Sequence, residues 1–111
     1  MNRKFWITST NDFKRVRLSG RSYAHPLVVI ICTNGQAKES RAGIITGKSI
    51  GNAVKRNRAR RRLRAILGQY LPTLKTPSDL VIIGRNSISG ASFQEIKLAV
   101  GNLLKRAGLL D

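Results

Sequence analysis

The chain has 111 residues, 41% of them hydrophobic, enough for one modest core and too apolar for wholesale disorder. It carries 21 Lys and Arg against 5 Asp and Glu, a formal net charge of +16, so its surface repels itself until a polyanion neutralises it. One cysteine and one histidine exclude an intrachain disulfide and a Cys/His zinc cluster. No apolar run approaches a membrane span, and the start of the chain turns polar at Thr8 before it builds the apolar core of a signal peptide. These features fit a reducing cytoplasm. Nucleic acid is the first candidate partner and an anionic membrane the second. The only tryptophan, Trp6, lies far along the sequence from the basic run, which disfavours a membrane-seated helix.

Residues 1–8 read as a loose basic arm with aromatics at Phe5 and Trp6. Ser9 to Asp12 offers several helix N-caps, and a short helix follows from Asn11 to Leu18 with Phe13, Val16 and Arg17 on one side. Gly20 is placed to end it in a left-handed conformation. Leu27 to Thr33 is β-branched and continuously apolar, a strand covered on both faces. A polar loop leads through Ser40 to a second strand, Ala42 to Thr46, and the loop length suggests an antiparallel hairpin.

The basic helix comes next, from its cap at Asn52 to about Leu71, just before Pro72. From Lys55 to Arg64 seven of ten residues are Lys or Arg, and no acid occurs between Ser40 and Ser78. Ala59, Leu63, Ile66 and Tyr70 are spaced as one core-facing stripe, and Asn57, Arg61 and Arg64 repeat that spacing on the other side. A turn-rich connector leads to a third, central strand from Asp79 to Gly84. Ser92 and Glu95 form a capping box for a last helix that buries Ile96, Ala99, Val100, Leu103 and Leu104 and stops at Gly108. The order is α-β-β-α-β-α, an α+β fold with a small mixed sheet. The strands flanking the basic helix run parallel, with a crossover that is ordinarily right-handed.

A solvated helix face interleaves Glu with Lys; this one has no acid, so it reads as a phosphate-binding face whose arginines present forked donors. Asn57 fits a base edge or 2′-hydroxyl as well as it fits an ordinary surface amide. Capping suffices for Asn52. Phe13 and Val16 fit either a stacking surface for unpaired bases or, more simply, an anchor of the first helix on the sheet. His25 stands alone, and Cys32 fits a buried small hydrophobe. The five acids do not converge in sequence, so no metal-assisted phosphodiester chemistry is expected of the protein itself. Gly43, Gly47 and Gly51 lack the Lys-Ser/Thr pair of a P-loop. A ribosomal-type RNA-binding protein and a nonspecific DNA-binding protein share these features.

The stretch Gly51-Asn-Ala-Val-Lys-Arg-Asn-Arg-Ala-Arg-Arg-Arg-Leu-Arg64 resembles the signature of the bacterial ribonuclease P protein subunit. So do Asp12-Phe13 with Val16 and Gly20, Arg41-Ala-Gly43, Lys48, Asp79-Leu-Val-Ile82 and the last helix. The resemblance implies a single RNA-binding domain over residues 1–111, similar to the second domain of ribosomal protein S5, with a left-handed crossover around the basic helix. It implies a monomeric protein in a 1:1 holoenzyme with a catalytic RNA, whose Mg²⁺ drives cleavage of the 5′ leader from precursor tRNA. No catalytic or metal-binding residue is expected in the protein. Lys48, Asn52, Arg56, Asn57, Arg58, Arg61, Arg62 and Arg64 would contact the RNA subunit. Phe13, Val16, Arg17, Val29 and Ile31 would hold the leader. Two family aromatics are absent: Arg17 stands at one position, where it can supply a phosphate contact instead, and the Val28–Ile31 run replaces the other.

Overall fold

Every residue from Leu80 to Ile82 is fully buried, and the strand that contains them sets the architecture. In the computed structural model, which describes residues 5–111, α1 spans Thr10–Ser19, β1 Arg21–Ala24, β2 Val28–Asn34 and β3 Arg41–Thr46. α2 spans Ala53–Tyr70, β4 Ser78–Gly84 and α3 Phe93–Arg106, with short 3₁₀ turns around α2 and after β4. The sheet order is β1-β2-β4-β3. β4 lies antiparallel to β2 and parallel to β3, so α2 is the crossover between parallel neighbours, as the strand–helix–strand pattern requires.

The expected β2–β3 hairpin does not form. The most completely buried strand needs a partner on each side, so β4 inserts between the two strands the hairpin would have joined. The sheet also has a fourth strand that the sequence reading lacked. β1 is four residues long and mostly exposed, with only Tyr23 half-buried, so it carries no apolar pattern to find. The element order is therefore α-β-β-β-α-β-α. Gly20 ends α1 in an extended conformation rather than a left-handed one. The site needs glycine for space: a Cβ there would lie 2.5 Å from the Val16 carbonyl oxygen and 2.7 Å from Ile31.

Alternation along the strands makes two unequal faces. One carries Val28, Ile30, Ala42, Leu80 and Ile82 into the main core beneath α2 and α3. α2 enters this core through Ala59, Leu63, Ile66 and also Leu67, while Tyr70 is only half-buried at the stripe's end. α3 contributes all five expected residues and Gly101, starts with the Ser92–Glu95 capping box, and is stopped by Gly108 at φ 78°. Cys32 is half-buried at the margin of this core.

The other face packs against α1 and the segment before it, in a smaller cluster of Ile7, Val16, Ile31 and Val81. The expected loose arm lies outside the described residues for positions 1–4. Positions 5–7 are docked: Trp6 bridges Ala42 in parallel, and the Ile7 amide donates to the Ala42 carbonyl at 2.8 Å. This short strap covers the free edge of β3, an edge that would otherwise expose unpaired backbone groups.

Leu63 has no exposed surface and joins the basic helix to the main core. Leu63→Ala is expected to destabilise the protein by about 2–5 kcal/mol, measured by chemical denaturation. A loss below that range would mean that the stripe does not hold the helix.

Candidate nucleic-acid interface

α2 is started by Asn52, whose Oδ1 accepts from the Lys55 amide at 3.0 Å. Lys48, Asn52, Asn57, Arg58, Arg61 and Arg64 are exposed; Arg56 and Arg62 are half-buried. Asn57, Arg61 and Arg64 fall together, as their spacing implies, and with Val54 and Arg60 they line a surface depression of about 420 Å³. Arg58 and Arg62 lie on a second flank with Lys55, facing Ile88 and Ser89. Arg62 donates to the Ala91 carbonyl at 2.9 Å, which fixes its guanidinium against the turn after β4. The helix thus offers two basic flanks.

Arg60 was not among the expected contacts. It donates to the Thr46 hydroxyl at 3.0 Å and borders both the α2 depression and the groove at the β3 edge. Its distance in sequence from Thr46 gave no signal of that pairing. The Arg64 guanidinium lies 5.3 Å from the centroid of the Trp6 ring, a cation–π contact. Trp6, distant in sequence from the basic run, is therefore next to it in space.

On the α1 side, strand register arranges the sheet surface in three rows. Thr33, Asp79 and Arg41 form one, Ile31, Val81 and Gly43 the next, and Val29, Ile83 and Ile45 the third. α1 packs on this face through Val16 and Phe13, and Val29, Ile45 and Ile83 remain half-buried around it. They form an apolar floor beside α1. Phe13 packs against Gly43, where an added Cβ would come within 2.5 Å of the ring. Among the expected leader contacts, Phe13 and Val29 are half-buried and Arg17 is exposed. Val16 has no exposed surface and Ile31 only 9%. These two are corrected to anchors of α1, because a side chain sealed beneath the helix offers nothing to a ligand. Ile45 and Ile83 are floor residues that the sequence reading missed; the β2-β4-β3 order places them there.

The first row holds the ion cluster that fixes α1. Asp79 is fully buried. Arg41 grips it with a fork, Nε to Oδ1 at 3.1 Å and Nη2 to Oδ2 at 2.9 Å. Arg15 of α1 donates to both Asp79 and Asp12. Burial alone would raise the Asp79 pKa, but the hydrogen bonds and charges of Arg41 and Arg15 together hold it below the usual carboxylate range. The carboxylates of Asp12 and Asp79 are thus neutralised by guanidiniums, which makes them a poor cradle for Mg²⁺. Among the described residues no cluster of three or more His, Cys, Asp or Glu is arranged to hold a metal, and no helix is long and apolar enough to cross a membrane.

Comparison with known proteins agrees with this geometry. The ribonuclease P family profile matches residues 1–108. The chain belongs to the ribonuclease P protein family. It is 36% identical to the ribonuclease P protein component of Herpetosiphon aurantiacus over 109 residues, covering 98% of this chain and 89% of that one. It is 38% identical to that of Limosilactobacillus reuteri, covering 100% and 96%. The solved RNase P protein of Staphylococcus aureus superposes with a TM-score of 0.87 at 26% identity, covering 96% of this chain and 98% of that one. That of Thermotoga maritima gives 0.77 at 27%, covering 86% and 92%. Membership makes the chain a ribonuclease P protein component with a part in tRNA 5′ processing, alongside an RNA subunit and a tRNA substrate.

The folded-state pKa of Asp79 is lowered, so its contribution to stability is complete above the unfolded-state carboxylate pKa and is lost as pH falls through the folded value. Asp79→Asn is expected to cost about 1–3 kcal/mol near neutrality, since one charged acceptor of two guanidiniums is removed, and to flatten the acid limb of stability. Parallel pH–stability curves for the two proteins would contradict the assignment.

Proposed function

We propose that the chain is the RNA-binding subunit of a ribonuclease P holoenzyme in which the RNA subunit carries the chemistry. One protein copy binds one RNA as a single domain in the cytoplasm. The basic face of α2, through Lys48, Asn52, Arg56, Asn57, Arg58, Arg61, Arg62 and Arg64, meets the RNA subunit. The cleft beside α1, through Phe13, Arg17 and the Val29–Ile83–Ile45 floor, holds the single-stranded 5′ leader of precursor tRNA. Mg²⁺ belongs mainly to the RNA, where it activates the water that leaves a 5′-phosphate on the mature tRNA.

The observation that carries this reading is the acid-free face of α2, with Asn57, Arg61 and Arg64 together in the open. Arginine forks match phosphate oxygens and stay charged at every working pH. Each phosphate they neutralise releases counterions, which favours binding and makes it salt-dependent. The protein's task is then assembly and substrate positioning, and its charge lowers the Mg²⁺ needed to fold and load the RNA.

Reconstitution tests this. The protein alone should cut no precursor tRNA, and with ribonuclease P RNA it should restore cleavage at Mg²⁺ levels where the RNA alone is slow. Robust cleavage by RNA-free protein, or no gain over the RNA alone, would overturn it. The Arg58→Ala and Arg61→Ala variants should weaken RNA-subunit binding and each flatten the log–log salt slope by about one unit. An unchanged slope would place both arginines in solvent within the complex.

A further inference from the structure

The leader-binding reading leaves one aromatic of this chain unused, Trp6. Along the covered edge of β3, Trp6, Phe13, Ile44, Arg60 and Arg64 line a groove of about 240 Å³. It lies where the α1 side of the sheet meets the basic helix, so it joins the two surfaces assigned above to leader and RNA subunit.

We propose that this groove seats one unpaired base of single-stranded RNA against Trp6 and Phe13, with Arg60 meeting a flanking phosphate. The inference rests on the leader-binding reading and adds Trp6 to it as a substrate contact. Aromatic rings beside arginines are the arrangement that holds single strands without reading sequence. The volume falls below the roughly 300–1,000 Å³ of a typical ligand pocket and suits one flat ring better than a folded ligand.

Each element is held in place. The backbone bridge to Ala42 fixes the strap that carries Trp6. Phe13 is seated on Gly43, and Arg60 is tied to Thr46 at 3.0 Å. Trp6 is half-buried rather than sealed in the core, and Arg64 lies over its ring at 5.3 Å. Its indole N–H is buried without an acceptor among the described residues. The strap thus places a second aromatic in the groove beside Phe13.

Trp6 is the only tryptophan of the chain, so its emission in the reconstituted holoenzyme reports on this groove. Precursor tRNA with a multi-nucleotide leader should quench it, and mature tRNA should not. For that precursor, Trp6→Leu should raise KM by about fivefold to tenfold, the scale of partial stacking on one side chain. KM for a precursor with a single-nucleotide leader, and affinity for the RNA subunit, should stay within about twofold. Trp6→Phe should recover most of the loss. Equal quenching by mature tRNA, an unchanged KM, or an equal rise for both precursors would overturn the inference, the last by making Trp6 a strap anchor only. If the unsubstituted holoenzyme itself does not distinguish the two precursors, the leader reading fails with it. If it does and Trp6→Leu distinguishes them equally well, only the role of Trp6 fails.

Discussion

Seven positive charges on ten consecutive residues repel one another along α2, and the apolar stripe beneath them keeps that helix folded. Ala59, Leu63, Ile66 and Leu67 are buried against the sheet. At about 25 cal/mol per Å² of apolar surface removed from water, such burial outweighs the repulsion of exposed charges, which water and salt screen. Local contacts then direct the charge: Arg60 to Thr46, Arg62 to the Ala91 carbonyl and Arg64 to Trp6. The result is a positive surface of fixed shape whose repulsion is relieved when a polyanion arrives.

The opposite face of the sheet depends on a different interaction. α1 packs through few apolar side chains, and Arg15 ties it to the buried Asp79. This tether sits at the Asp79 row, while Val29, Ile83 and Ile45 in the third row stay half-buried. The two faces divide the work. The α2–α3 side supplies the core and the basic surface, and the α1 side supplies an apolar floor. Trp6 and its neighbours join them around the edge of β3.

Much of this was legible in the sequence. The stripe of α2, the Asn52 cap, the capping box of α3 and the parallel pair around α2 all follow from local spacing, and local spacing is what a sequence displays. The long basic signature identified the family for the same reason. What stayed hidden was non-local. β1 is too short and exposed to show a pattern. The β2-β4-β3 order depends on which strand is most buried, which no single segment reveals. Asp79 looked like the first residue of a strand, because its partners Arg15 and Arg41 lie 64 and 38 residues away. Val16 shared a helix face with Phe13, yet only packing shows that one is sealed and the other reachable. Trp6 was set apart from the basic run by distance in sequence, and the fold brings it against Arg64.

α2 is an array of like charges held by its apolar stripe, and a bound polyanion would relieve their repulsion. The direct measurement is the thermal midpoint of the free protein against sodium chloride concentration, repeated with ribonuclease P RNA. The midpoint should rise as salt screens the helix, with a further rise in the presence of RNA that shrinks as salt increases. A midpoint indifferent to salt, with no response to RNA, would contradict it.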